Sequence, residues 1–100
     1  KKRPAVVRYF TFKDDLSKLV KGTLNPRFQV TFFVPIPPSW PKTKRAAYDG
    51  KPHQQKPDAD NFLKAFMDAL CVDDSYIYDV RVRKFWTDSD GYIELTEYEI

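Results

Sequence analysis

Residues 58–70 constrain the fold of this 100-residue chain more than any other stretch. Each residue of an α-helix advances about 100° around the axis. On that wheel Phe62, Leu63, Ala65, Phe66, Met67, Ala69 and Leu70 cover a very wide apolar arc. Asp60, Lys64 and Asp68 share the narrow remainder, with Asn61 beside them. Such a helix is largely buried and shows solvent one polar strip. Pro57 fits its start, since proline lacks the N–H that a first turn leaves unpaired. Asp73 and Asp74 follow after a very short turn.

The carboxylates Asp58, Asp60, Asp73 and Asp74 are expected to gather near one point and to repel each other there. A helix N-terminus supplies only about half a positive charge to offset such a group. Clustered carboxylates stay exposed, shift their pKa values upward, or bind a cation. An all-oxygen donor set suits a hard ion such as Mg²⁺ or Mn²⁺. Lys64, one turn after Asp60, would then stand beside the metal and face a phosphate. The alternative is structural: Asp58 or Asp60 caps the helix, and Lys64 pairs with Asp60 and Asp68 at i, i+4 spacing.

The run Lys56-Pro57-Asp58, then Asp60-Asn61, Lys64 and Asp68-Ala69-Leu70, followed by Asp73-Asp74-Ser75 and Ile77, resembles the RusA family of Holliday junction resolvases. These are metal-dependent endodeoxyribonucleases of DNA recombination and repair, common in phages and prophages. The resemblance is densest over residues 56–77 and extends more weakly over residues 28–83. It implies that Asp58, Asp60 and Asp74 hold Mg²⁺, with Mn²⁺ able to substitute, and that Lys64 is catalytic. It also implies a homodimer acting on four-way DNA junctions. Asp73 is a further candidate ligand, because only Cys71 and Val72 precede the acidic pair where many members have several residues. Members also usually open with a short strand, which the resemblance leaves unmatched at Lys1.

Charge agrees with a DNA substrate. The balance is 17 − 14 = +3, and setting aside three metal-bound aspartates leaves +6 on the remaining surface. Basic surface attracts the phosphate backbone. Residues 37–57 read as a long loop without regular periodicity, and loops of this length in small domains usually carry function. Lys42, Lys44, Arg45 and Lys56 suit phosphate contact there, and Trp40 suits stacking on an unpaired base or packing back on the core. His53 reads as a polar loop residue. Cys71, the single cysteine, excludes an intrachain disulfide, fits a reducing cytoplasm, which the resemblance implies is that of a bacterium or a phage-infected cell, and reads as a small core residue. No apolar run approaches the ~18 residues of a membrane span, and no signal peptide is visible.

The remaining pattern predicts one α+β domain over residues 1–100. Residues 5–11 fit either a strand or a lead-in. Phe12, Leu16, Leu19 and Val20 predict a helix over residues 12–21, with Thr11 as N-cap and Gly22 past its end. Phe28, Val30, Phe32, Val34 and Ile36 alternate onto one face of a strand, with Phe33 as an apolar exception facing the other way. Tyr78, Val80 and Val82 oppose Asp79, Arg81 and Arg83 in a second strand. Asp88-Ser89-Asp90-Gly91 is a turn signal, and Ile93 and Leu95 mark a third strand. The last two strands are expected to form a hairpin. The architecture is a mixed sheet of at least three strands with two helices.

Two other functions fit parts of the pattern. One is a branched-DNA-binding module without catalytic activity, against which the intact acidic set argues. The other is a calcium loop starting at Asp58. That loop requires Gly at its sixth position and Glu at its twelfth, where this chain has Leu63 and Ala69.

Overall fold

In the computed structural model, residues 5–11 are described as backbone and residues 24–98 with their side chains. The helix expected over residues 12–21 lies outside the described residues. The fold is α+β, built on a four-stranded mixed sheet. Strand β1 spans Ala5–Thr11, which resolves the ambiguity of that segment in favour of a strand. Strand β2 spans Arg27–Pro35, β3 Asp79–Thr87 and β4 Tyr92–Tyr98. Helix α1 spans Lys42–Tyr48 and α2 Ala59–Leu70, with a 3₁₀ turn at Asp74–Tyr76.

The sheet order is β1-β4-β2-β3. Strands β2 and β3 run parallel, with Phe28 opposite Val80 and Phe32 opposite Lys84. Strand β4 is antiparallel to both β2 and β1. The expected β3–β4 hairpin is therefore incorrect. The Asp88–Gly91 turn is present, but it carries the chain past the end of β2, so β3 and β4 lie on opposite edges of that strand. Gly91 takes a positive φ of 92° where the chain enters β4. A tight turn reverses the chain without fixing which edge the returning strand joins.

Period-2 alternation explains the faces. Phe28, Val30, Phe32, Ile93 and Leu95 are buried on one side, with Val80 and Val82 partly buried beside them. Helix α2 covers this side by inserting Phe66 and Leu70, and Phe62, Leu63 and Met67 pack around them. Phe62 stacks on Phe32 at 5.1 Å between ring centroids, and Phe66 meets Phe28 at 6.1 Å. The helix is less buried than its wide apolar arc suggests, with Ala65 exposed and only Phe66 and Leu70 fully buried. One sheet face covers about half of a helix surface, which is why the remainder of the arc meets solvent. Cys71 is buried in the core at the helix end, as its sequence position suggests.

On the opposite sheet face Phe33 finds its partners within the sheet. It stacks on Tyr92 at 4.3 Å and on Phe85 at 6.0 Å, and Arg83 lies over the Phe85 ring. Thr31 is fully buried on this face and accepts a hydrogen bond from Arg83 Nε.

Candidate active site

Helix α2 runs antiparallel to β2 and β3, so its two ends lie at opposite ends of the sheet. Phe62, near its start, sits on Phe32, late in β2, and Phe66 reaches Phe28, early in β2. Asp58 is the N-cap residue, yet its side chain makes no capping hydrogen bond. Its main-chain carbonyl accepts from the N–H groups of Asn61 and Phe62 instead. Asp58, Asp60 and Lys64 are all exposed. Among the described residues the ion pairs are Arg27–Asp79 and Arg45–Asp88, so Lys64 pairs with neither Asp60 nor Asp68. The capping and i, i+4 roles open to these side chains are thus unused in the structure.

Asp73 and Asp74 lie beyond the other end of α2. Asp73 accepts from Ser75 N–H at 2.9 Å and caps the 3₁₀ turn. These Ser75 hydrogen bonds hold the Asp73 carboxyl below the usual range. Asp74 begins that turn, and it lines an open cleft of about 360 Å³ with Met67, Asp68, Cys71, Val72 and Asp73. Tyr76 donates to the Leu24 carbonyl, and burial together with Cys71 pushes its phenol up to about 12.

The structure places Asp58 and Asp60 at the start of α2, Lys64 one turn beyond Asp60, and Asp74 past the other end. Twelve residues at ~1.5 Å rise each separate the two ends by about 18 Å. Carboxylate oxygens bind Mg²⁺ at ~2.1 Å. Within one chain, Asp74 therefore cannot share an ion with Asp58 and Asp60. Consistently, no group of three or more ligating side chains occurs among the described residues.

The segment expected as an irregular loop contains α1, held at both ends. Trp40 packs on Trp86 at 5.1 Å and edge-on to Tyr48 at 5.2 Å, with Lys44 Nζ 4.0 Å above its ring. Arg45 pairs with Asp88 and donates to the Pro37 carbonyl, which joins α1 to the β3–β4 turn. Lys42 and Lys56 are exposed. Residues 50–53 then run along the outer edge of β3. Gly50 N–H donates to Trp86 O, Trp86 N–H to Lys51 O, and His53 N–H to Lys84 O. This pairing shields part of an otherwise open sheet edge.

Sequence reasoning missed two residues here. His53 is 4% exposed rather than a solvated loop residue, and its ring lies 4.3 Å from Trp86 and edge-on to Phe62. Lys84 donates from Nζ to the carbonyls of Gln55 at 2.6 Å and Pro57 at 2.8 Å. The signal was available: Val80, Val82, Lys84 and Trp86 share one strand phase, and the lysine interrupts it.

Burial, and then the charge of Lys84, hold the His53 pKa below its ordinary 6.5. Folding thus favours the neutral ring, and as pH falls the unfolded chain takes up the proton first. The stabilising contribution is complete above pH ~6.5 and is lost as pH drops through the lowered folded-state value. Thermal melts at pH 7.5 and 5.5 are expected to show a smaller acid-induced fall for His53→Phe than for the wild type. An equal fall in both proteins would rule out His53 as a source of acid sensitivity.

A comparison with curated proteins and another with solved structures return no match. The family model described as endodeoxyribonuclease RusA matches residues 7–96, a span that holds both acidic ends of α2 and the basic segment between β2 and α2, and the chain belongs to that family of endodeoxyribonucleases.

Proposed function

We propose that this chain resolves four-way DNA junctions as a homodimer, by Mg²⁺-assisted phosphodiester hydrolysis, in DNA recombination and repair in the cytoplasm of a bacterium or a phage-infected cell. The observation that carries the reading is the exposed, unpaired set Asp58, Asp60 and Lys64 at the start of α2, in a chain of an endodeoxyribonuclease family. Exposed side chains with no protein partner among the described residues are free to hold a hard cation at the two carboxylates and to meet a phosphate oxygen at Lys64.

The separation of about 18 Å along α2 bears directly on the dimer. Asp58 and Asp60 supply two donors, and a third from Asp74 has to come from a second copy. A two-fold axis relates the two acidic ends reciprocally, so one symmetric contact completes two sites. A four-way junction has approximate two-fold symmetry as well, and its resolution needs two related cuts. Asp74 is the residue that the family pattern matches, while one oxygen of Asp73 caps the 3₁₀ turn through Ser75 N–H.

Asp58 and Asp60, with Asp74 of a second copy, would hold Mg²⁺ or Mn²⁺, and the ion would supply a water of lowered pKa and positive charge against the phosphate. Lys64, one turn into α2, stabilises the charge that develops on the phosphate oxygens. Lys42, Lys44, Arg45 and Lys56 hold the DNA backbone. Trp40 packs on Trp86 and Tyr48 with Lys44 over its ring, so its part is to brace the basic side chains of α1. Arg45 also ties α1 in place through Asp88, so its loss would move Lys42 and Lys44 as well.

The test is cleavage of a four-way junction and of a plain duplex, each with Mg²⁺ or EDTA. Junction cutting that requires Mg²⁺ and spares the duplex is expected. Junction binding without cutting in Mg²⁺ or Mn²⁺ would favour the inactive binding module instead.

A further inference from the structure

We propose that Lys84 is a positioning residue, whose ammonium fixes the backbone on which Asp58 and Asp60 stand. This inference rests on the reading of those carboxylates as metal ligands.

Lys84 lies opposite Phe32 in the parallel register, on the sheet face that α2 covers. Val80 and Val82 occupy the preceding positions of that phase and pack against the core, and Trp86 follows and is buried. An apolar side chain at position 84 would continue the same surface. A lysine there, half-buried, has to lead its ammonium off that apolar surface to hydrogen-bond acceptors. It does so at the carbonyls of Gln55 and Pro57, at 2.6 and 2.8 Å. Hydrogen bonds from a charged donor are roughly twice as strong as neutral ones.

Those acceptors mark the segment that sets the acidic pair. Residues 54–57 are exposed and belong to neither strand nor helix. Before them His53 N–H is bound to Lys84 O, and after them the Asp58 carbonyl accepts the first hydrogen bonds of α2. The side chain and main chain of Lys84 thus make three ties within five residues, at 53, 55 and 57. The Pro57 carbonyl immediately precedes Asp58. Its position fixes where α2 begins and the direction in which the Asp58 and Asp60 carboxylates leave the backbone.

The inference is tested with the full chain carrying Lys84→Met, which removes the donor and keeps the length, and Lys84→Arg, which restores donors. Amide exchange at residues 55–61, Mn²⁺ binding followed by electron paramagnetic resonance, and single-turnover junction cleavage at varied Mg²⁺ are measured. For Lys84→Met, faster exchange confined to residues 55–61 and Mn²⁺ affinity weaker by about tenfold are expected, the scale for groups that orient metal ligands. The Mg²⁺ concentration for half-maximal cleavage rises in parallel, and Lys84→Arg recovers most of both effects. Exchange and Mn²⁺ affinity matching the wild type in Lys84→Met would overturn the inference. If Lys84→Met loses its cooperative melt, Lys84→Leu, which also removes the donor, is judged by the same outcomes. A wild type that neither binds Mn²⁺ nor cuts the junction overturns the underlying metal-site reading, whereas wild-type cutting with unaltered variant affinity overturns the role of Lys84 alone.

Discussion

Asp60→Asn is expected to abolish junction cleavage, by on the order of a thousandfold, the upper end for loss of one preorganised electrostatic group. Binding of the junction is expected to persist or tighten, because the change removes a negative charge beside the DNA. Asp60 is exposed in the first turn of α2, so its structural role is limited to the helix dipole, worth under about 1 kcal/mol. Thermal melts should therefore superimpose while the rate collapses. Asp74→Asn is expected to behave alike from the far end of the helix. Coexpression of the two variants then distinguishes a site shared between protomers from one inside a single chain. If Asp60 of one copy acts with Asp74 of the other, a mixed dimer carries both lesions at one site and none at the other. Random assembly would restore about a quarter of wild-type single-strand nicking through that symmetric exchange. If each site lay within one chain, every site would keep a lesion and no nicking would return. Full wild-type turnover by Asp60→Asn alone would remove the catalytic assignment altogether.

The elements read best from the sequence were those whose own burial sets their pattern. Strand β2 lies between two neighbours and under α2, so Phe28, Val30 and Phe32 had to alternate. The apolar arc of α2 was equally visible, as was the core role of Cys71. What escaped depends on partners distant in sequence. Strand β4 could return to either edge of β2 or pair with β3, and its alternation is the same in each case. The short α1 presents no buried residue, so no apolar stripe betrays it; it is held by Trp40, Tyr48 and the Arg45–Asp88 pair. His53 looked solvated because its neighbours in sequence are polar, whereas its neighbours in space are Trp86 and Phe62. The candidate site divides along the same line. The resemblance implies Asp58, Asp60, Lys64 and Asp74 as site residues, but a pattern along the chain does not reveal that a helix holds its members apart.

That helix makes the second large effect a matter of stability. Phe66 is 1% exposed and is the one α2 ring that touches both Phe28 and Phe32. Its plane meets Phe32 edge-on at 85° and lies tilted to Phe28 at 47°, arrangements that favour aromatic pairs. Phe66→Ala is expected to cost about 3–5 kcal/mol, from lost burial and the cavity left under the helix. A domain of this size has roughly 5–15 kcal/mol to lose and shifts its Tm by ~4–8 °C per kcal/mol. Urea titration should show a midpoint far below that of the wild type, while Ala65→Ser, on the exposed side of the same helix, stays within about 0.5 kcal/mol. Phe66 lies midway between the two acidic ends, so loosening it frees both from the sheet at once. Metal-dependent cleavage should then fail on warming well before β2 and β4 lose their amide protection. A loss below about 1 kcal/mol for Phe66→Ala would mean that α2 is not docked by this ring, and that the spacing of its two acidic ends is set by something other than the sheet.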